Sequence, residues 1–186
     1  CTALTKGRGL DCNRISGGIK NIYFAVYDQV TSIPQTAGEI TDLEMGTNDL
    51  YKYVMPLGVS SLTDTIVGSR ENGTIYYTPT CNIILNRLTK EDQNQIKLLG
   101  ATKTIIFAEL NETLVSSGNN VIVGLGSVNG MELNAGTMDS GAAWGDRNGY
   151  TLTFDGMEAL PFAMVADYTT TPFDNAAFTF GTIVTS

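Results

Sequence analysis

The side chains able to do chemistry are few and unevenly chosen. The chain of 186 residues holds three cysteines (Cys1, Cys12, Cys81), 19 acidic residues, one tryptophan and no histidine. Without imidazole there is no Ser-His-Asp or Cys-His relay, no histidine metal ligand and no imidazole pH switch. No Cys-x-x-Cys pair occurs, which removes zinc ribbons and thioredoxin-type dithiols. An odd thiol count argues against a secreted disulfide scaffold. Reduced thiols with Cys81 buried are expected, although a Cys1–Cys12 bridge stays geometrically possible.

The remaining constellations each have a plain structural reading. Glu39, Asp42 and Glu44 could gather around a hard cation such as calcium, but no EF-hand spacing supports it, and a solvated acidic loop is the expected reading. Glu91 and Asp92 suit the first turn of a helix. Gly124-Leu125-Gly126-Ser127-Val128-Asn129-Gly130 loosely resembles a dinucleotide fingerprint, yet strand-like sequence flanks it on both sides where a helix must follow. There is no Walker loop and no Gly-x-Ser-x-Gly elbow. Asn72-Gly73-Thr74 and Asn111-Glu112-Thr113 match glycosylation sequons. Trp144 sits in a glycine-rich loop, where it could stack a ligand, plug a barrel end or touch a neighbouring subunit; packing or contact is the expected role. No catalytic residue, cofactor site or metal site is expected.

The elements that would position these groups are mostly strands. Charged residues make up only 16%, hydrophobic residues 42%, and glycine occurs 20 times. Thr, Asn, Ser and Gly supply the polarity, which is strand and turn chemistry. Residues 19–30 alternate Ile22, Phe24 and Val26 with Tyr23, Ala25 and Tyr27, so both faces are apolar and both must be covered. Further strands are expected at 50–58, 61–68, 74–88, 103–110, 120–126, 130–138, 150–158 and 162–168. Asn72-Gly73 marks a hairpin, and Pro79 argues for an edge or bend. One helix is expected at 90–99, with Thr89 as cap, Ile96 and Leu99 as its apolar stripe and Gly100 as its stop.

This predicts a mainly β chain: an antiparallel β-sandwich or barrel with one flanking helix. Three parts are expected: an N-terminal arm at 1–18 with Lys6, Arg8 and Arg14, a β domain at 19–168 containing a long acidic loop or weak hairpin at 31–49, and a C-terminal extension at 169–186 that could add a strand. The net charge of -8 makes phosphate binding unfavourable. No apolar run is long enough to span a bilayer as a helix, so no membrane association is expected. Residues 1–6 show no signal-peptide pattern; loss of an initiator methionine, or else a lipidated Cys1, would account for the first residue.

Several segments resemble the tail tube proteins of tailed bacteriophages. They are Leu4-Thr5-Lys6-Gly7-Arg8 with Cys12 and Gly17-Gly18-Ile19-Lys20, then Ser69-Arg70-Glu71-Asn72-Gly73-Thr74 and Leu88-Thr89-Lys90-Glu91-Asp92. The longest runs from Gly141 through Trp144 and Asp146-Arg147-Asn148-Gly149-Tyr150 to Phe154, continuing to Gly156-Met157-Glu158 and Pro161. The resemblance implies a structural virion protein made in the host cytoplasm, with subunits forming hexameric rings that stack into a tube. Its partners would be itself, other tail proteins, and double-stranded DNA that passes without specific binding. A ring of six would carry a charge of about -48, a field that repels polyanions. The basic arm (Lys6, Arg8, Arg14) is expected to meet the acidic loop (Glu39, Asp42, Glu44) of an adjacent ring. A head decoration or head-tail connector protein, and a carbohydrate-binding β-sandwich, are the alternatives.

Overall fold

In the computed structural model, residues 6–10 and 15–185 are described. The chain is mainly β. It opens with β1 (Ile19–Val26), a single 3-10 turn, and three two-residue strands, β2 (Gln35–Thr36), β3 (Glu39–Ile40) and β4 (Leu43–Glu44). Next come β5 (Leu50–Val54), β6 (Ser61–Ser69) and β7 (Thr74–Asn86), then the helix α1 (Lys90–Leu99). The second half holds β8 (Thr104–Thr113), β9 (Asn120–Leu125), β10 (Glu132–Asp139) and β11 (Gly149–Asp155). It ends with β12 (Ala163–Val165), β13 (Phe178–Thr179) and β14 (Ile183–Val184).

Eight strands form one sheet in the order β14-β5-β1-β8-β9-β12-β3-β2, and four form another, β10-β11-β7-β6. β13 and β4 make a separate pair. Neither larger sheet closes on itself, so the described residues form no closed barrel. The expectation of a wholly antiparallel chain is corrected at the periphery. All the long pairings are antiparallel, but β12–β3, β13–β4 and β14–β5 run parallel. Each joins segments more than a hundred residues apart, so no hairpin dictates their direction.

β1 follows the expected logic of a strand covered on both sides. Ile22 and Phe24 stand opposite Ala108 and Ile106 of β8 and point to one core. Tyr23 and Ala25 stand opposite Phe107 and Ile105 and point to the other. The first core lies between the two large sheets and takes Cys81 and Ile83 from β7, Tyr150, Leu152 and Phe154 from β11, and Ile96 from α1. The second core is closed by Ile40, Leu43 and Met45 from the 31–49 segment and by Val165 and Phe173 from the chain's last part. That segment is therefore a folded cover rather than a bare acidic loop, and β2–β3 is the weak hairpin within it. Gly124 makes the cover possible, because a Cβ there would lie 2.5 Å from Ile40 Cδ1.

The helix forms at the expected residues. Thr89 Oγ1 accepts from the Asp92 backbone N–H at 3.0 Å, and Gly100 donates back to Ile96 O at 2.9 Å. The hairpin between β6 and β7 has a four-residue loop, Arg70 to Gly73. β7 stays continuous through Pro79, which pairs with Asp64 on β6. β11 leaves β7 after Thr80, so beyond Pro79 β6 and β7 run on as a two-stranded arm held on the other side by one bridge, Tyr77 to Glu158.

Candidate functional site

The glycine-rich stretch 124–130 does bind an anion, but the anion is the protein's own. Gly126 and Gly130 adopt left-handed φ of +75° and +82°, a geometry glycine allows. The turn between them aims backbone N–H groups at Glu158, which is 4% exposed. Val128 N–H donates to Glu158 Oε2 at 3.1 Å and Asn129 N–H to Oε1 at 2.9 Å. This is a backbone nest around a carboxylate. Burial still raises the Glu158 pKa above the ordinary glutamate value, against the lowering effect of those N–H groups. Nearby, Asp64 Oδ2 accepts from Phe162 N–H at 2.9 Å, while its Oδ1 is buried without a partner.

Glu109 on β8 is the second buried acid, 2% exposed. Its Oε2 accepts from Asn21 Nδ2 at 2.7 Å and from the Tyr23 hydroxyl at 2.9 Å, and its Oε1 lies 3.3 Å from Lys20 Nζ. Burial first, then the Glu109 charge, pushes the Tyr23 phenol far above its ordinary pKa. Burial also pushes the Cys81 thiol up to about 12, so it is no nucleophile near neutrality. Glu109 and Glu158 both escaped the sequence reading. The one signal for Glu109 was an acid within an apolar strand; Glu158 had none.

The residues singled out from sequence do not converge. Lys6 and Arg8 are exposed, and Arg14, Cys1 and Cys12 lie outside the described residues. Glu39 and Glu44 are exposed on β3 and β4, and Asp42 is half-buried with Oδ1 unpartnered. Among the described residues no three acidic or thiol side chains come together to hold a metal ion. The two ion pairs described are Lys20–Glu109 and Lys103–Glu132, so Lys6 and Arg8 meet no carboxylate within the described chain. Trp144 neither plugs a barrel end nor packs on its own chain: its relative exposure is 108%. The turn beneath it is nonetheless fixed. Asp146 Oδ2 accepts from Ala142 N–H and Ala143 N–H at 3.0 and 2.7 Å, and Asp146 N–H returns to Ala143 O at 3.0 Å.

Surfaces, not pockets, are the notable features. β6 and β10 are the outer strands of the four-stranded sheet, nine and eight residues long. Neither contains Lys, Arg or Pro, three of the usual guards of an unpaired edge; β6 carries Asp64, and β10 carries Glu132, Asp139 and a register shift between Leu133 and Ala135. The solvent face of this sheet is built from Thr63, Thr80, Asn82, Thr151, Thr153 and Asp155, with one apolar residue, Ile84, opposite Thr151. Its strands carry no basic residue, and Arg147 reaches it from the adjoining loop through Thr151 Oγ1 at 2.6 Å. On the β6–β7 arm, Ile66 and Ile75 are each 65% exposed.

No family model matches this chain, and neither the curated proteins nor the solved structures contain a match. Among the described residues no helix is long and apolar enough to cross a membrane.

Proposed function

We propose that this chain is a self-assembling structural subunit, of the tube-forming kind found in tailed-phage tails, in which six copies make a ring and rings stack into a conduit. The observation that carries the reading is the pair of long outer strands on the four-stranded sheet, both free of Lys, Arg and Pro. Such edges promote strand pairing with another chain. Placing β6 of one copy beside β10 of the next continues the sheet around a ring, and a cyclic arrangement leaves no edge exposed. The isolated chain then supplies one staves' worth of a barrel that only the ring completes, with a sandwich of two sheets behind it.

Two further features support the reading. The solvent face of that sheet is hydroxyl- and amide-rich, with acids and no strand-borne cation. Facing a lumen, its strands would offer DNA phosphates no cation, Arg147 at the margin being the one basic side chain that reaches the face. The exposed Ile66 and Ile75 on the projecting arm would find cover against a stacked ring. In this reading the basic arm residues Lys6, Arg8 and Arg14 meet Glu39, Asp42 and Glu44 across rings.

Electron microscopy of the purified protein tests it. Hollow tubes of uniform diameter are expected. Thr63→Lys and Thr65→Lys on β6 should abolish tubes and leave the circular dichroism unchanged. Wild-type protein that stays monomeric at every concentration would overturn the proposal, and closed single rings would favour a connector or decoration protein instead.

A further inference from the structure

We propose that Trp144 is an assembly knob that seats in an aromatic groove between α1 and β5 of a second copy of this chain. The knob has two properties that a casual surface tryptophan lacks. It is wholly exposed, and it stands on a turn pinned by both backbone N–H bonds to Asp146. The loop is anchored at its far side as well, where Asn148 O accepts from Arg87 N–H at 2.6 Å and Asn148 Oδ1 from Leu88 N–H at 3.1 Å. An aromatic side chain held ready in this way loses little freedom on docking.

The groove is about 220 Å³, with Phe24, Tyr51, Tyr53, Leu98 and Leu99 among its walls. Phe24 and Tyr53 form its base as an edge-to-face pair with centroids 5.3 Å apart. Leu98 lines it from α1 with half its surface exposed, although the helix is otherwise polar on that side. The volume suits one bicyclic ring, and the lining offers aromatic faces and edges to it.

Charge identifies the occupant as this chain. Arg147, three residues beyond Trp144, has no carboxylate partner among the described residues. Glu91 and Asp92 stand on the adjoining rim of the groove beside Tyr53; Lys52 lines the same rim but pairs with neither, its Nζ lying 5.8 Å from the Tyr23 ring centroid. Asp146, the acid next to the knob, is already engaged by its own loop. A tryptophan with a cation beside it thus faces an aromatic slot with an acidic lip. Knob and groove are different surfaces of one molecule, so the contact is head to tail and propagates into a ring or a filament. It needs only a second copy, not the tube of the preceding section.

Trp144 is the one tryptophan in the chain, so its fluorescence reports on the contact directly. With rising protein concentration its emission should move to shorter wavelength and its quenching by acrylamide should fall, in step with the mass from light scattering. Trp144→Ala and Leu98→Glu, both at exposed sites, should each raise the dissociation constant by about 30-fold. Mixed together, the two variants retain one intact knob and one intact groove and should form a one-to-one dimer that neither forms alone. Assembly in which Trp144 stays fully quenchable, or wild-type-like assembly by Trp144→Ala, would overturn the proposal. Tubes with an exposed Trp144 would sink the knob and spare the tube; short oligomers with a buried Trp144 would do the reverse.

Discussion

β1, β8 and β9 carry a core on each face, and the two cores are made by different means. On one face the partners are regular: β7 and β11 present Cys81, Ile83, Tyr150, Leu152 and Phe154 at strand spacing, and α1 adds Ile96. On the other face the partners are two irregular segments far apart in sequence, joined by the short parallel pair β13–β4, while β14–β5 ties the second of them to the large sheet. Their key residue is Phe173, which is 2% exposed and has a left-handed φ of +67°. It lies edge-on to Tyr23 at 5.0 Å and Phe107 at 5.4 Å, with Phe178 and Phe180 beyond. A non-glycine residue in that region is strained, and packing on four rings holds it there. The first core is secured by many hydrogen-bonded strands, the second by one side chain holding down a strap.

Removing the central ring from each core separates these designs. Phe154→Ala and Phe173→Ala should each cost about 3–5 kcal/mol of packing. The difference lies in what opens. Phe154 touches Phe24 across the inter-sheet core, with centroids 5.2 Å apart, so its loss should loosen the whole molecule. Phe173→Ala should release 31–49 and 166–184 while the long strands persist, because the strap contributes few ladder bonds. Cys81 is the reporter, since its buried thiol reacts only when the first core opens. Labelling at Cys81, resolved from Cys1 and Cys12 by peptide mass, should accelerate in Phe154→Ala and stay slow in Phe173→Ala. Equal labelling rates would mean the two cores unfold as one unit.

The same contrast decides what the sequence makes legible. Period-two alternation revealed β6 and β11, a run apolar on both faces revealed β1, and the Thr89 cap with Gly100 bounded α1 within a residue. Both-face burial of β1 was readable because Tyr23 and Ala25 are as apolar in setting as Ile22 and Phe24. The cover was not readable. Ile40, Leu43, Met45 and Phe173 are isolated apolar residues in polar stretches, with no period to betray a buried face. Parallel pairing over more than a hundred residues leaves no local trace either. Of the residues proposed for contact, Trp144 was conspicuous by type, but its exposure depends on the Asp146 turn. The Glu158 nest needed a long-range partner that glycine spacing alone could not name.

The polar seal at the rim of the second core is the next place to press. Glu109 shares a face with Phe107 and holds Asn21, Tyr23 and Lys20. Glu109→Ala strands two buried donors and should cost about 2–3 kcal/mol. Glu109→Gln keeps an acceptor for Asn21 and Tyr23, loses only the attraction of half-exposed Lys20, and should cost about 1 kcal/mol. Chemical denaturation of both variants measures this. If they lose the same amount, the charge rather than the hydrogen bonding sustains the seal.

Acid should produce the smallest effect and the most selective one. Asp174 accepts from the N–H groups of Thr169, Thr170 and Thr171, and Asp167 from Asn119 and Tyr168 N–H. These bonds lower both pKa values, Asp174 through its backbone donors and Asp167 chiefly through the Asn119 side chain. A carboxyl whose folded pKa is depressed stabilises the fold above its unfolded value, about 3.9, and the contribution disappears as pH falls through the folded value. Both groups belong to the strap. Glu158 has the opposite sign: its folded pKa is raised, so its contribution is greatest in acid and is lost as pH rises from the ordinary glutamate value to the raised one. Going down in pH therefore relieves the cost of burying the Glu158 charge beside the first core and then weakens the strap over the second. Pepsin below pH about 3.9 should cut first within 166–184, leaving the strands from β5 to β11 intact. Asp174→Asn should already be cut there by a neutral protease, with little further change in acid. Cleavage starting in β7 or β11 would reverse the ranking of the two cores.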